Sequence, residues 1–328
     1  MLLGLNSASY RPPAGLAGLP SEDREPDPFA LLARAADLGL RGIEFADLSQ
    51  FESLDYSYLS RLRSRAEALD LYLEVGASGT EPQHLEDLVR VCYALGASVL
   101  RTTIGLPAAS AASARRPASP DDFETLLQQV VDNIRASLRL AKKYDVWIAI
   151  ENDADLTSQE LVSLLSHLEG EPVGACLDTA NPLAVIEDPV EAARNLARRA
   201  LTVHLKDYQM APTHQGYALL GVPLGRGVVD LESIVEILQQ ANPDIALNIE
   251  VAAPRREIPV LEPAFLDAFT DRSAHDLAAV IRLMRDRRRT GLDDLAADAQ
   301  PQDPDAAVTE SAAYARRLLG QDSLPLDL

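Results

Sequence analysis

The fold this sequence predicts is a closed (β/α)8 barrel, and three observations carry the expectation: eight short β-type runs, a helical pattern after them, and the lack of a phosphate-binding glycine signature. The runs lie at residues 2–6, 42–45, 71–75, 98–103, 146–151, 174–178, 201–204 and 245–251. Between them apolar residues recur at helical spacing, as at Phe29, Leu32, Ala35, Ala36 and Leu38, or at Leu231, Ile234, Val235 and Leu238. Strand–helix alternation without a hairpin signal requires parallel strands joined by crossover helices. Neither G-x-G-x-x-G nor a Walker loop follows any run, which disfavours a doubly wound nucleotide-binding sheet.

In chain order, the first run precedes Asp27-Pro28, an N-cap and first-turn proline that open the first helix. After the fourth run, residues 107–118 are rich in Ala, Ser, Pro and Arg and read as a long loop on the strand-exit face. Ser119-Pro120-Asp121 then opens a helix. Thr157, with Glu160 three residues on, forms a capping-box pattern after the fifth run, and Asp188-Pro189 caps the helix after the sixth. Residues 208–228 carry Gly, Pro and His and read as a second long loop, and 252–272 is irregular. The barrel is assigned to residues 1–289. Residues 290–328 form an acidic C-terminal extension with one amphipathic helix near 306–319. From Gly291 onward that extension has eight acids against two arginines, and it packs on the barrel wall, on a second subunit, or stands in solvent.

A chain of 328 residues accommodates a barrel of about 250 residues plus appendages. The 47% apolar and 24% charged composition excludes wholesale disorder, collagen-like repeats and a small disulfide scaffold. Fifty acidic against thirty basic side chains leave a net charge of −20, which repels a phosphate backbone and argues against a nucleic-acid partner. Cys92 and Cys176 sit in apolar stretches and read as buried free thiols of a reducing compartment. The N-terminus has no basic region and no apolar run reaches about 18 residues, so a cytoplasmic protein without a membrane span is expected.

Four runs end in a potential metal ligand: Glu151, Asp178, His204 and Glu250, spaced by 27, 26 and 46 residues. In a closed barrel the exit ends of adjacent strands converge on one mouth, so these residues fall within reach of a single coordination shell. Three carboxylates at one mouth repel each other and are costly to bury; a divalent cation offsets both costs. Three carboxylates and one imidazole, with no thiolate, suit one hard ion, Mn²⁺ first and Mg²⁺ or Co²⁺ next, with about two positions left open. The alternative is that each residue closes its strand through a local ion pair or hydrogen bond.

Other polar residues belong to the same mouth. Lys206, two residues past His204, points to the same side and serves as a substrate contact or proton donor, or pairs with a neighbouring acid. Arg101, Asn152, Asn181 and Glu74 are candidate substrate-binding residues, with structural pairing or support of the ligands as the competing role. Glu44 has the same two readings. Arg226, in Gly225-Arg226-Gly227, is a further candidate contact, although this motif more often marks a tight loop. His84, His167 and His275 fall on helical segments and read as surface or packing residues; His214 lies in the second long loop.

The segments IENDADLTSQEL, GACLDTANPLAVIEDP, VHLKDY, PLGRGVVDL and NIEVA resemble the sugar phosphate isomerase/epimerase group of xylose isomerase-like barrels. That superfamily also includes ketose 3-epimerases and the endonuclease IV type of AP endonuclease. The resemblance spans residues 2–289. It implies one divalent metal held by Glu151, Asp178, His204 and Glu250, with the two glutamates exchanging protons with the substrate. The three-metal repair branch needs more histidines than the five present, which leaves a small sugar or keto-sugar as the implied substrate. The expected step is removal of a proton beside a carbonyl, giving an enediolate, with Glu151 and Glu250 as base and acid on its two faces. Reprotonation yields an epimer or an isomer.

The chain departs from its relatives at three places. Asn181 stands where ketose 3-epimerases carry a histidine, and Met210 where they carry an arginine. Asp153 stands where enzymes acting on 3-keto sugars, including those cleaving C-glycosides, carry a histidine, and is itself a candidate base. These departures keep open a metal-dependent lyase, decarboxylase or dehydratase acting on a keto-sugar acid or 3-keto-glycoside. A non-catalytic barrel serving another subunit is the third reading. No phosphate cradle is evident, so an unphosphorylated substrate is expected, in a homo-oligomer or beside a partner subunit.

Overall fold

The computed structural model describes residues 1–10, 27–105, 116–117, 119–251, 255–288 and 303–321. Seven parallel strands, β1 (Leu2–Asn6), β2 (Gly42–Phe45), β3 (Tyr72–Gly76), β4 (Val99–Thr102), β5 (Trp147–Glu151), β6 (Val173–Asp178) and β7 (Ala200–Leu205), follow the predicted runs closely. A hairpin, β8 (Asp207–Pro212) and β9 (Tyr217–Val222), comes next; β10 (Ala246–Ile249) then pairs with both β7 and β1 and closes the barrel. All eight barrel strands are parallel.

The hairpin corrects one expectation. Residues 208–228 read as a loop, yet most form two antiparallel strands joined at Thr213–Gly216, where the Thr213 N–H donates to the Gly216 carbonyl at 2.9 Å. A four-residue connection ending in Gly is a weak local signal, and ladder pairing supplies what the sequence pattern does not. The irregular stretch after the last barrel strand likewise contains β11 (Arg256–Ile258), which extends the hairpin into a three-stranded sheet in the order β11-β9-β8.

Helices α1 (Pro28–Asp37), α2 (Tyr56–Ala68), α3 (Pro82–Leu95), α4 (Pro120–Tyr144), α5 (Ser158–Ser166), α6 (Pro189–Leu196) and α7 (Leu231–Ala241) link successive strands of the barrel. Their apolar stripes, such as Leu31, Leu32 and Ala35 in α1 or Ile234, Val235 and Leu238 in α7, are buried. All four expected caps are present. Asp27 accepts from the amides of Phe29 and Ala30, Ser119 from Asp122, and Asp188 from Val190 and Glu191; Thr157 and Glu160 complete a capping box.

Short α8 (Pro263–Asp267) leads to α9 (Ala274–Arg288), and α10 (Pro304–Leu318) follows. Helix α10 lies on the barrel wall, burying Ala307, Val308, Ser311, Ala312 and Ala315. Its Asp305 accepts from Arg34 Nε at 2.7 Å and from the Tyr10 hydroxyl at 2.8 Å, which ties the start of the helix to α1 and to the 3-10 turn that follows β1. The loop at 107–118 lies almost wholly outside the described residues. Its Arg116 is paired with Glu160 at 2.8 Å and stacks on Phe123, 3.7 Å from the ring centre.

Near the entry end of the barrel, the Tyr72 ring lies beside Gly4 and Gly42, where any Cβ would fall on it, and its hydroxyl donates to Asn248 Oδ1 at 2.8 Å. Glycine at these two positions is therefore a matter of space. Above this plug the inward side chains are polar, an unusual content for a barrel core and the first sign that the interior serves more than packing.

Candidate metal centre

The parallel register brings the polar residues together in layers. Glu151 and Asp178 are the last residues of β5 and β6, Asp178 is paired with His204 of β7, and His204 is paired with Asn248 of β10. Glu250 follows β10 directly and its N–H donates to the Leu205 carbonyl at 2.9 Å. One ligand atom from each of Glu151, Asp178, His204 and Glu250 lies within 4.8 Å of all the others. The four predicted ligands thus share a common centre.

His204 provides the test of whether a cation fits. Its Nε2 lies 2.6 Å from Glu44 Oε2, and the carboxylate assigns the hydrogen to that nitrogen. Nδ1 then faces Glu250 Oε2 at 3.0 Å, Glu151 Oε1 at 3.4 Å and Asp178 Oδ2 at 4.0 Å. Nδ1 is buried and has no hydrogen-bond partner. An orphaned imidazole nitrogen facing three carboxylates is the donor set of a hard divalent ion, which supplies the partner that Nδ1 lacks.

Without a cation, the charges balance through protons and Lys206. The Lys206 Nζ lies 2.6 Å from Glu250 Oε1 and 3.0 Å from Asp178 Oδ2. Burial opposes ionisation of Glu250, but Lys206 and His204 hold its carboxyl well below the usual range. Burial raises Asp178 despite Lys206. His204 is also deeply buried, yet its negative neighbours, Glu44 and Glu151 among them, hold the imidazolium proton well above the ordinary range, a proton that a cation at Nδ1 would displace. Glu44, fully buried, is drawn down to about 2 by His204 and Arg101.

The other candidates separate into distinct places. Asn152 braces a ligand: its Oδ1 accepts from the Asp178 amide at 2.7 Å and its Nδ2 donates to the Asp178 carbonyl at 3.1 Å. Asn181 donates from Nδ2 to Glu151 Oε1 at 3.3 Å, while its amide and that of Ala180 each donate to Asp178 Oδ1 at 2.8 Å. Arg101 is buried; its Nε donates to Glu44 Oε1 at 2.9 Å, and its terminal nitrogens donate to the carbonyls of Ala77 and Ala46 at 2.8 and 2.9 Å. It also lies 3.5 Å from Glu151 Oε2, so the structure makes it a strut between two acids. Glu74 sits one layer deeper and accepts from Thr202 Oγ1 at 2.7 Å and Asn248 Nδ2 at 2.8 Å; burial and the nearby Glu44 push its carboxyl up to about 8.

Two candidates are not brought into the cluster. Arg226 is exposed and pairs with Glu310 of α10 at 2.6 Å. Asp153 is half-buried and accepts from the Ala154 amide at 2.7 Å. Asn6, whose Nδ2 lies 3.2 Å from His204 Nε2, was not singled out by the sequence; its place at the end of the first run was the available signal. Cys92 and Cys176 are free and buried. Cys176 lies beside Glu151 and His204, and burial pushes its thiol up to about 12, which keeps it protonated.

Comparison with known proteins identifies the family and the fold. A sequence model described as xylose isomerase-like TIM barrel matches residues 32–269. The 3-oxo-isoapionate decarboxylase of Pectobacterium atrosepticum is 24% identical over 235 residues, covering 70% of this chain and 80% of that protein. Among solved structures, a D-psicose 3-epimerase crystallised in the presence of D-fructose superposes with a TM-score of 0.63 at 15% identity, covering 98% of this chain and 100% of that one. A barrel from Mycobacterium smegmatis in complex with magnesium gives 0.56 at 13% identity, covering 87% and 97%.

Proposed function

The chain belongs to the xylose isomerase-like TIM-barrel family, and from that premise we propose that it is a divalent-metal-dependent isomerase or epimerase acting on a sugar or keto-sugar derivative. The observation that carries the reading is the orphaned His204 Nδ1 facing Glu151, Asp178 and Glu250. Those four residues would hold the ion, Mn²⁺ in preference to Mg²⁺ or Co²⁺. Bound there, a divalent ion polarises a substrate carbonyl and stabilises negative charge developing on its oxygen.

The protein's own groups account for the proton movements. Glu250 is held ionised by Lys206 and takes the proton from the carbon beside the carbonyl. Glu151, across the cluster, returns a proton to the opposite face for epimerisation or to the neighbouring carbon for isomerisation. Asn181 fixes Glu151 through its side-chain amide, and Asn152 fixes Asp178 through two hydrogen bonds. Buried Tyr208 and Met210, on the strand that continues β7, exclude water from one side of the mouth.

A second reading, decarboxylation of a keto-sugar acid, is favoured by Lys206. Loss of CO₂ beside a ketone leaves the same electron-rich carbon, and the Lys206 ammonium can deliver the proton to it. The 24% identical relative named as a 3-oxo-isoapionate decarboxylase supports this branch. Two buried free thiols support a reducing, cytoplasmic setting.

The readings are tested by incubating the Mn²⁺-loaded protein with ketoses and 3-oxo sugar acids in deuterated water. Deuterium at the carbon beside the carbonyl, with mass otherwise conserved, supports the isomerase or epimerase; loss of CO₂ supports the decarboxylase. Neither event across the panel, with metal bound, refutes both.

A further inference from the structure

The sheet β8-β9-β11 sets a cationic side chain, that of Arg256, on the same face as two buried residues that follow His204 and Lys206 in the chain. His204 and Lys206 both point into the ligand cluster, and Tyr208 and Met210 are buried on one face of β8. In the antiparallel ladders Met210 is paired with Leu219 and Leu219 with Arg256, and directly paired residues share a face. Arg256 therefore lies on the same face as Tyr208 and Met210. Opposite Tyr208 stands Gly221, which puts no side chain on this face.

Tyr217, on the same face, donates its hydroxyl to the Leu183 carbonyl at 2.6 Å, in the turn that starts at Asn181, so this face lies over the exit end of β6. Burial pushes the Tyr208 phenol above the ordinary range, and the charges acting on it are those of Lys206, Asp178, Arg256 and Glu250. Arg256 is half-buried, yet its guanidinium has no ion pair or side-chain hydrogen bond among the described residues. Arg101, by contrast, is hydrogen-bonded through all three guanidinium nitrogens, and Lys206 is already committed to Asp178 and Glu250. A partly desolvated guanidinium that no described residue pairs offers a planar fork of donors to an anionic group.

We propose that Arg256 binds an anionic substituent of the substrate, a carboxylate or a phosphate, and so makes the enzyme selective for charged over neutral sugars. The proposal rests on the metal-dependent reading above and deepens it by naming the substrate class. The two anions share the chemistry of oxygens arranged for a bidentate fork, and the test separates them.

Binding of D-gluconate, D-fructose 6-phosphate and D-fructose is measured by calorimetry on the wild type, Arg256→Gln and Arg256→Lys, with and without Mn²⁺. The wild type binds at least one anion about tenfold or more tightly than D-fructose. Arg256→Gln brings that preference to within about twofold without changing Mn²⁺ affinity, and Arg256→Lys keeps part of it. Which anion is preferred identifies carboxylate or phosphate. Equal binding of charged and neutral probes by the wild type, no binding of either anion, or a preference that survives Arg256→Gln overturns the assignment. Failure of the wild type to bind Mn²⁺ overturns the metal-enzyme reading, and the metal-free titrations still decide the role of Arg256.

Discussion

Glu44→Gln tests whether a residue that touches neither substrate nor ion governs the metal centre. Glu44 accepts from His204 Nε2 at 2.6 Å and from Arg101 Nε at 2.9 Å, one bond on each carboxylate oxygen. Glutamine has one acceptor oxygen, so it satisfies either the imidazole or the guanidinium and turns an N–H₂ toward the other. If the amide faces His204, the hydrogen moves to Nδ1 and blocks the nitrogen that faces Glu151, Asp178 and Glu250. Loss of such an orienting partner typically costs about 10–100-fold in metal affinity, about 1.4–2.7 kcal/mol. Leaving one buried donor unsatisfied costs ~1–3 kcal/mol of stability as well. Titration of Mn²⁺ by calorimetry, with circular dichroism to confirm folding, measures both. A folded Glu44→Gln protein whose Mn²⁺ dissociation constant stays within about twofold of wild type would refute the reasoning, because the hydrogen of His204 would then not be under the control of Glu44. The pH dependence has a definite sign. The Glu44 carboxyl drops from 4.5 to about 2 on folding, so its stabilising contribution is present above the unfolded value and lost as pH falls toward 2; Glu44→Gln abolishes that loss.

The remaining predictions concern a buried acid, the lysine and the terminal helix. Glu74 is raised from 4.5 to about 8, so the folded form retains a proton that the unfolded chain releases, and stability is lost as pH rises from about 4.5 to about 8. Glu74→Gln, which keeps an acceptor for Thr202 and Asn248, will match wild type near pH 4 and exceed it at pH 8 by a few kcal/mol, at most ~5, in denaturant melts; a variant less stable at pH 8 would contradict this. Lys206→Gln removes a cation bonded to two metal ligands. It will tighten Mn²⁺ binding about tenfold, because like charges about 4 Å apart cost up to ~4 kcal/mol at an effective dielectric of 20. Deuterium exchange or CO₂ release will fall about 100-fold, and weaker metal binding would show that Lys206 is a structural prop instead. Val308→Asp places an unpaired carboxylate in the buried face of α10 and will cost about 3 kcal/mol or more, seen as a lower melting temperature; an unchanged melt would mean that the helix is not docked in solution.

By itself the sequence determined the barrel and the tips of its last strands. Strand and helix periodicity are local, so all eight barrel strands and the caps at Asp27, Ser119, Thr157 and Asp188 were legible residue by residue. Acids and an imidazole ending apolar runs were equally visible, and parallel closure obliges such ends to meet. The tertiary structure alone decided which donor meets which acceptor. Glu44 and Asn6 come from the first two strands, 160 and 198 residues before His204, and lie against it only because β10 pairs with both β7 and β1. Arg101 is drawn inward between Glu44 and Glu151, while Arg226, the other candidate arginine, is turned outward to α10. The hairpin and the row from Met210 to Arg256 arise from ladder pairing across a weak turn and an intervening strand. The physical reason is range: periodicity and polarity act over a few residues, whereas hydrogen-bond partners in a barrel are chosen by register and layer around its whole circumference.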